Sequence, residues 1–268
     1  MELQGRVSEL ERRGLGLAVI TYDPVDSLAR FASVKGITYA LLSDEGSAVI
    51  EEYGIRNTGV EPGSRADGIP YPGTFVLDRA GQVVSRHFEP AYQIRHTASS
   101  LVVRGGTPLD SAADRGVRIE APNLDLTVYA SDETVAPGHR FSLVLDITPR
   151  ELIHVYAPPQ ESYQAISLEL EPVPGLERHP MTFPPSEEYH FVPLDERVQV
   201  YMRPFRLIQD VHFAVSDQLS AMSEHDSRPV TIRGTLSYQA CDDRLCYPPE
   251  DVPVAWSVEI KGLESGVP

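Results

Sequence analysis

Cysteine is almost missing from this sequence: two in 268 residues, at positions 241 and 246. A disulfide-stapled scaffold needs more. A four-ligand zinc site would need histidines at ordered spacing, and the eight His form neither an HxxxH nor an HxH pair. Long apolar runs are lacking too. None approaches the roughly 18–20 residues of a membrane helix, and Met1-Glu2-Leu3-Gln4-Gly5-Arg6 carries no apolar signal segment. The chain is therefore expected neither to insert into a membrane nor to carry a signal peptide. Positive charge is scarce: 23 Lys and Arg stand against 39 Asp and Glu, a net charge of -16. That balance disfavours nucleic acid and anionic lipid as partners.

Common catalytic signatures are also missing. Gly14-Leu15-Gly16 lacks the remaining spacing of a phosphate loop, and there is no GxSxG or HExxH. Glu187-Glu188 is not a carboxylate pair, because neighbours on a strand face opposite ways. No cofactor and no metal are expected.

What is present divides into two patterns, as the length allows. Residues 1–104 alternate between helical and strand periods. Leu3, Val7 and Leu10 sit at helical spacing before Gly14. Leu17 to Ile20 is a short strand, and residues 25–35 read as a helix with Leu28, Phe31 and Ala32 inward, ended by Gly36. Tyr39 to Leu42 is a second strand, and Ser43-Asp44 opens a helix carrying Val49, Ile50 and Tyr53. Thr74 to Asp78, a turn at Arg79-Ala80-Gly81 and Gln82 to Ser85 form a hairpin. A last helix is expected over about 92–104. The order αβαβαββα belongs to an α/β class.

Residues 105–120 read as a linker. Residues 121–262 alternate at period two: Leu124, Leu126, Val128; Phe141, Leu143, Leu145, Ile147; Ile166, Leu168, Leu170; Val230, Ile232, Leu236, Tyr238; and Val252 to Ile260. Such strands with Pro-rich turns indicate an all-β sandwich.

Two resemblances follow. Ala18-Val19-Ile20-Thr21-Tyr22-Asp23, Leu42-Ser43-Asp44-Glu45-Gly46, Tyr53-Gly54-Ile55 and above all Tyr71-Pro72-Gly73-Thr74-Phe75-Val76-Leu77-Asp78 resemble the peroxiredoxin/redoxin (AhpC/TSA) branch of the thioredoxin superfamily. The resemblance implies a thioredoxin-like αβα domain with Pro72 as its cis-proline, facing active-site cysteines. Family members begin with a strand and a Cys-bearing turn. Here those parts have no counterpart, and residues 1–240 contain no Cys, so the expectation is a truncated start or a domain turned scaffold.

The second resemblance rests on Tyr238-Gln239-Ala240-Cys241-Asp242-Asp243-Arg244-Leu245-Cys246-Tyr247-Pro248-Pro249. Tyr-Gln-x-Cys followed by Cys-x-Pro-Pro is similar to the signature of the N-terminal domain of DsbD-type thiol:disulfide interchange proteins, an immunoglobulin-like fold. It implies an oxidoreductase acting through Cys241 and Cys246, with Cys246 the attacked sulfur and a thioredoxin-like redox protein as partner. It also implies a periplasmic or otherwise extracytoplasmic setting. Tyr238, Gln239, Arg244, Tyr247 and Pro248 would shape the site. His154 and Tyr156 would pack beside it, and Glu188 and Tyr189 would lie on a capping loop.

The residues give their own support. Asp242 to Leu245 is a common hairpin-loop length, and residues flanking such a loop can approach the roughly 4.4–6.8 Å Cα separation of a disulfide. Closing a loop of about six residues gains roughly 2 kcal/mol, a weak staple beside nearly 5 for a 100-residue loop. Spacing alone leaves three readings open: an exchangeable pair, a structural bridge, or reduced or metal-bound thiols. The rival of a different class is a non-catalytic adaptor with a structural disulfide and an inactive thioredoxin-like scaffold. Oligomeric state is not encoded in any pattern found.

Overall fold

The computed structural model describes residues 2–12, 14–64, 67–88, 94–104, 116–160, 162–191, 195–215 and 226–262. The chain divides into two compact units, Met1–Ala98 and Ser99–Pro268.

In the first unit, helix α1 (Glu2–Arg12) turns Val7 and Leu10 inward and stops at Gly14, whose φ of 72° suits glycine. Strand β1 (Ala18–Thr21), helix α2 (Val25–Lys35) and strand β2 (Ala40–Ser43) make a parallel crossover, with Ala18 opposite Ala40. Helix α2 ends at Gly36 in the left-handed conformation, whose N–H reaches Ala32 O. Its buried residue is Leu28. Phe31, expected inward, is 48% exposed, because two strands make too narrow a sheet to cover the whole helix face.

Helix α3 (Ala48–Glu52) is capped from outside by Asp44, whose carboxylate accepts the N–H groups of Val49 and Ile50. Strands β3 (Gly73–Leu77) and β4 (Val83–Phe88) form the expected hairpin, its turn held by Asp78 accepting from Ala80 and Gln82. Among the described residues, β1–β2 and β3–β4 remain separate two-stranded sheets.

Pro72 departs from its expectation. Among the described residues the cis peptide bond is Pro158–Pro159, and the Tyr71–Pro72 bond is trans. The Tyr71 N–H donates to Ile55 O at 2.6 Å and Gly73 pairs with Phe88, so the chain enters β3 already extended. Nothing there opposes the intrinsic preference of about 0.5–1 kcal/mol for trans.

The expected helix over 92–104 is shorter. Residues 91–93 lie outside the described set, Arg95–His96 form strand β5, and helix α4 covers Ala98–Arg104. Part of the expected linker is ordered as strand β6 (Val117–Ala121), which pairs with β7 (Leu124–Ala130). Residues 105–115 lie outside the described set.

The second unit is a β-sandwich, as the immunoglobulin-like reading expects. Its remaining strands are β8 (Thr134–Val135), β9 (His139–Pro149), β10 (His154–Tyr156), β11 (Ser167–Leu170), β12 (Leu176–Arg178) and β13 (Glu187–Phe191). They continue with β14 (Glu196–Tyr201), β15 (Phe205–Phe213), β16 (Ser227–Tyr238), β17 (Ala240–Cys241) and β18 (Glu250–Lys261). One sheet runs β12-β15-β9-β7-β6 and another β11-β16-β18-β8. The alternation read from sequence is the packing: Val252, Val254, Trp256, Val258 and Ile260 are all buried, with exposed residues between them. Trp256 Nε1 donates to Val144 O at 3.4 Å, tying the two sheets through the core. Gly234 is required where β11 crosses close, since a Cβ there would meet Glu169 O at 2.7 Å.

A third sheet, β13-β14-β10-β17, holds the cysteines. Its residues alternate between faces. Val155, Tyr201 and Ala240 join the main core, while Tyr156, Val198, Val200 and Cys241 form a separate apolar cluster on the other face. Strand parity therefore places Cys241 outside the main core.

Candidate functional site

Cys241 and Cys246 form a disulfide with their Cα atoms 4.1 Å apart. The turn between them is built by Asp242. Its carboxylate accepts the N–H groups of Arg244 and Leu245 at 2.7 Å each, and its own N–H donates to Leu245 O. Those backbone bonds, then the Tyr247 hydroxyl, hold the Asp242 carboxyl below the usual carboxylate range. The two sulfurs are unequally placed. Cys241 is 1% exposed, paired in register with His154, whereas Cys246 lies on the exposed side of the turn.

Aromatic residues line the buried side. The Tyr156 hydroxyl lies 3.2 Å from Cys241 Sγ and 3.4 Å from Cys246 Sγ. His154, two residues earlier on the same strand face, packs edge-on to Tyr156 at 5.7 Å and lies 4.5 Å from the Tyr189 ring. Burial pushes the His154 pKa down, opposed by Asp243 and Asp242. Tyr189 reaches over from β13 and donates to Asp243 Oδ1 at 2.8 Å.

Other expected site residues divide clearly. Gln239 joins the site's frame, donating to Tyr247 O at 3.0 Å and accepting from the Gln164 N–H. Tyr247 braces the turn through Asp242 Oδ2 at 3.0 Å. Arg244 and Pro248 are exposed on the rim, as is Leu245, at 57%. Two do not gather at the sulfurs. Tyr238 is wholly buried in the main core and donates to Pro122 O at 2.6 Å, because a residue three before Cys241 falls on the inner face. Glu188 points away from Tyr189 by strand alternation and pairs with Arg197 at 2.7 Å.

The sequence reading missed Tyr163 and Glu196. The Tyr163 ring stacks on Tyr156 at 4.2 Å and 6°, and its hydroxyl donates to Glu196 Oε2 at 2.6 Å. That bond raises the Tyr163 pKa, while burial raises that of Tyr156. Neither residue carries a local signal. Tyr163 sits in an irregular segment after Pro158-Pro159, and Glu196 opens a strand like any surface acid.

Comparison with known families agrees with both halves of this description. Residues 1–86 match the AhpC/TSA family, and residues 126–255 match the family described as Thiol:disulfide interchange protein DsbD, N-terminal. The chain thus carries a segment similar to the AhpC/TSA family and a segment similar to the DsbD N-terminal family. Both belong to thiol–disulfide redox families, and the cysteine pair lies in the DsbD-type part.

The AhpC/TSA segment is 31% identical over 81 residues to Peroxiredoxin Bcp of Escherichia coli K12, covering 30% of this chain and 51% of that protein. A putative peroxiredoxin bcp of Shigella flexneri matches equally. The chain thus spans about half the length of the curated relatives it matches. Among solved structures, the N-terminal periplasmic domain of ScsB from Proteus mirabilis is 11% identical, with a TM-score of 0.34 over 54% of this chain and 49% of that one. The reduced DsbD N-terminal domain of Neisseria meningitidis is 20% identical, with a TM-score of 0.29 over 45% and 77%. No helix among the described residues is long and apolar enough to cross a membrane.

Proposed function

We propose that the DsbD-type unit relays electrons through Cys241 and Cys246 to or from a thioredoxin-like partner, in an oxidising compartment such as a bacterial periplasm. The observation that carries this reading is the asymmetry of the pair: an exposed residue, Cys246, bonded to a buried one, Cys241. A partner thiolate has access to Cys246 and forms a mixed disulfide there, and Cys241 leaves. A second partner thiol then releases Cys246. The exposed Leu245 and Pro248 beside Cys246 supply an apolar rim on which a partner can rest. Residues 1–240 lack Cys, so within this sequence the exchange runs through Cys241 and Cys246.

That same lack of Cys supports a second reading, a non-catalytic adaptor with a structural bridge. One experiment separates the two. A thioredoxin-like protein lacking its resolving Cys is mixed with the oxidised chain, and the adduct is mapped by mass spectrometry. The relay reading expects a mixed disulfide at Cys246. Absence of any adduct, with a reduction potential below about -300 mV, would establish the structural bridge.

A further inference from the structure

When Cys246 is attacked, the sulfur that leaves is buried. Cys241, at 1% exposure, receives the electron pair of the broken S–S bond where water cannot reach it. A thiolate in apolar surroundings is costly without a hydrogen-bond donor. Among the described residues, the hydroxyl that contacts it is that of Tyr156, 3.2 Å from the Cys241 sulfur.

A phenol has a single proton to give. Neither sulfur of a closed disulfide carries hydrogen, so Tyr156 is the donor in any contact with them. It also has a competing acceptor. Tyr163 commits its own proton to Glu196 at 2.6 Å, leaving its oxygen free to accept, and its ring stacks on that of Tyr156 at 4.2 Å. Burial first, and then the neighbouring Tyr163, favour the protonated Tyr156 phenol. A disulfide sulfur is a weak acceptor and a phenol oxygen a better one, so the closed pair leaves the Tyr156 proton with Tyr163. A thiolate is charged and outcompetes both.

We propose that Tyr156 is a catalytic hydrogen-bond donor whose O–H swings from Tyr163 to the Cys241 sulfur as the disulfide opens, stabilising the leaving thiolate and selecting Cys241 as the leaving group. The proposal rests on the exchange reading given above. The bond that forms joins the partner sulfur to Cys246 and the bond that breaks is Cys246–Cys241. The pair's sulfurs are reduced at the expense of the partner dithiol, which ends as a disulfide. The Tyr156 proton stays on oxygen throughout. Tyr163 and Glu196 are positioning residues that hold that proton in the closed state.

Two variants that keep both rings test this. Tyr156→Phe removes the donor. Tyr163→Phe removes only the competing acceptor and leaves the Tyr156 proton aimed at sulfur. Reduction of the oxidised full chain is followed with dithiothreitol and, separately, with a reduced thioredoxin-like protein. With either reductant, Tyr156→Phe is expected to slow reduction about 10- to 100-fold, the range of a hydrogen bond to a charged group. It should also move ionisation of the Cys241 thiol, read by thiolate absorbance, to higher pH. Tyr163→Phe is expected to match or exceed the parent rate. Equal slowing in both variants, or a parent-like rate and ionisation in Tyr156→Phe, would overturn the proposal. Reduction of the parent by dithiothreitol but not by any thioredoxin-like dithiol would instead overturn the exchange reading, and the dithiothreitol rates would still decide the role of Tyr156.

Discussion

The two units bury their apolar residues to very different depths. In the second, whole strands alternate cleanly, and Phe141, Leu143, Leu145, Leu207, Ile232, Tyr238 and Trp256 are 2% exposed or less. In the first, Ile50 reaches 1%, but Val7, Leu10 and Leu28 stop at 8–9% and Phe31, Val34, Leu42 and Val84 stand 48–75% exposed. The sequences are not less apolar in the first unit. Its strands β1 to β4 are paired only two by two among the described residues, and a two-stranded sheet offers too little face to cover a helix. Hydrophobic pattern sets which residues could be inside; the number of neighbouring strands sets how many are.

The largest test of that contrast is Trp256→Ala, which empties the centre of the sandwich. It should cost the second unit about 3–5 kcal/mol, read from its denaturant transition. Phe31→Ser, an equally drastic change by sequence, should alter the first unit by about 0.5 kcal/mol or less, because the side chain is already half in water. A large loss from Phe31→Ser would show that face to be covered and break the comparison.

A comparably large effect belongs to a fully buried carboxylate in the second unit. Asp210 is 0% exposed and is bound by Arg104, by Arg140 at 2.9 Å and by Ser142 at 2.8 Å. Burial alone would raise its pKa; Arg104, Ser142 and Arg140 outweigh it and hold the carboxyl below its ordinary value. Asp210→Ala, leaving two guanidiniums without that carboxylate, should cost about 3 kcal/mol or more by the same measurement.

A smaller effect follows pH. His179 donates to or accepts from His212 at 3.0 Å, and burial, then Arg140 and His212, press its pKa from 6.5 to about 4. The unfolded chain therefore binds the proton more readily. The stability contribution is complete above pH 6.5 and is lost as pH falls toward about 4. Since His179 is partly in water, the loss should be about 1 kcal/mol, and His179→Gln should flatten the second unit's acid slope in that window. The smallest effect expected is local. Asp242→Ala removes the acceptor of two turn N–H groups and should raise the exposure of the cysteine loop to hydrogen exchange without moving the global transition.

The fold was legible where one physical rule governed a stretch of chain. Val252 to Ile260 alternates because both sides of β18 see one solvent and one core, and period two reports that directly. The turn at Cys241–Cys246 was legible because four residues suffice to reverse a chain and Asp242 can cap it. Pro72 was misread because a local motif says nothing about what surrounds the peptide bond. Phe31 was placed inward because periodicity marks a face without saying whether anything covers it. Tyr238 was grouped with the cysteines by nearness in sequence and Glu188 by family resemblance to a capping loop, and strand parity turns both away.

By itself the amino-acid order determined the two-part organisation, the strand faces of the sandwich and the closeness of the two cysteines, since each depends on residues within a few positions of one another. Tertiary structure alone decided which cysteine is exposed, and that Tyr156 lies against the other with Tyr163, held by Glu196, stacked on its ring. Those groups come from three strands and a loop up to 85 residues apart, and only pairing of β10 with β14 and β17 brings them within a few ångströms.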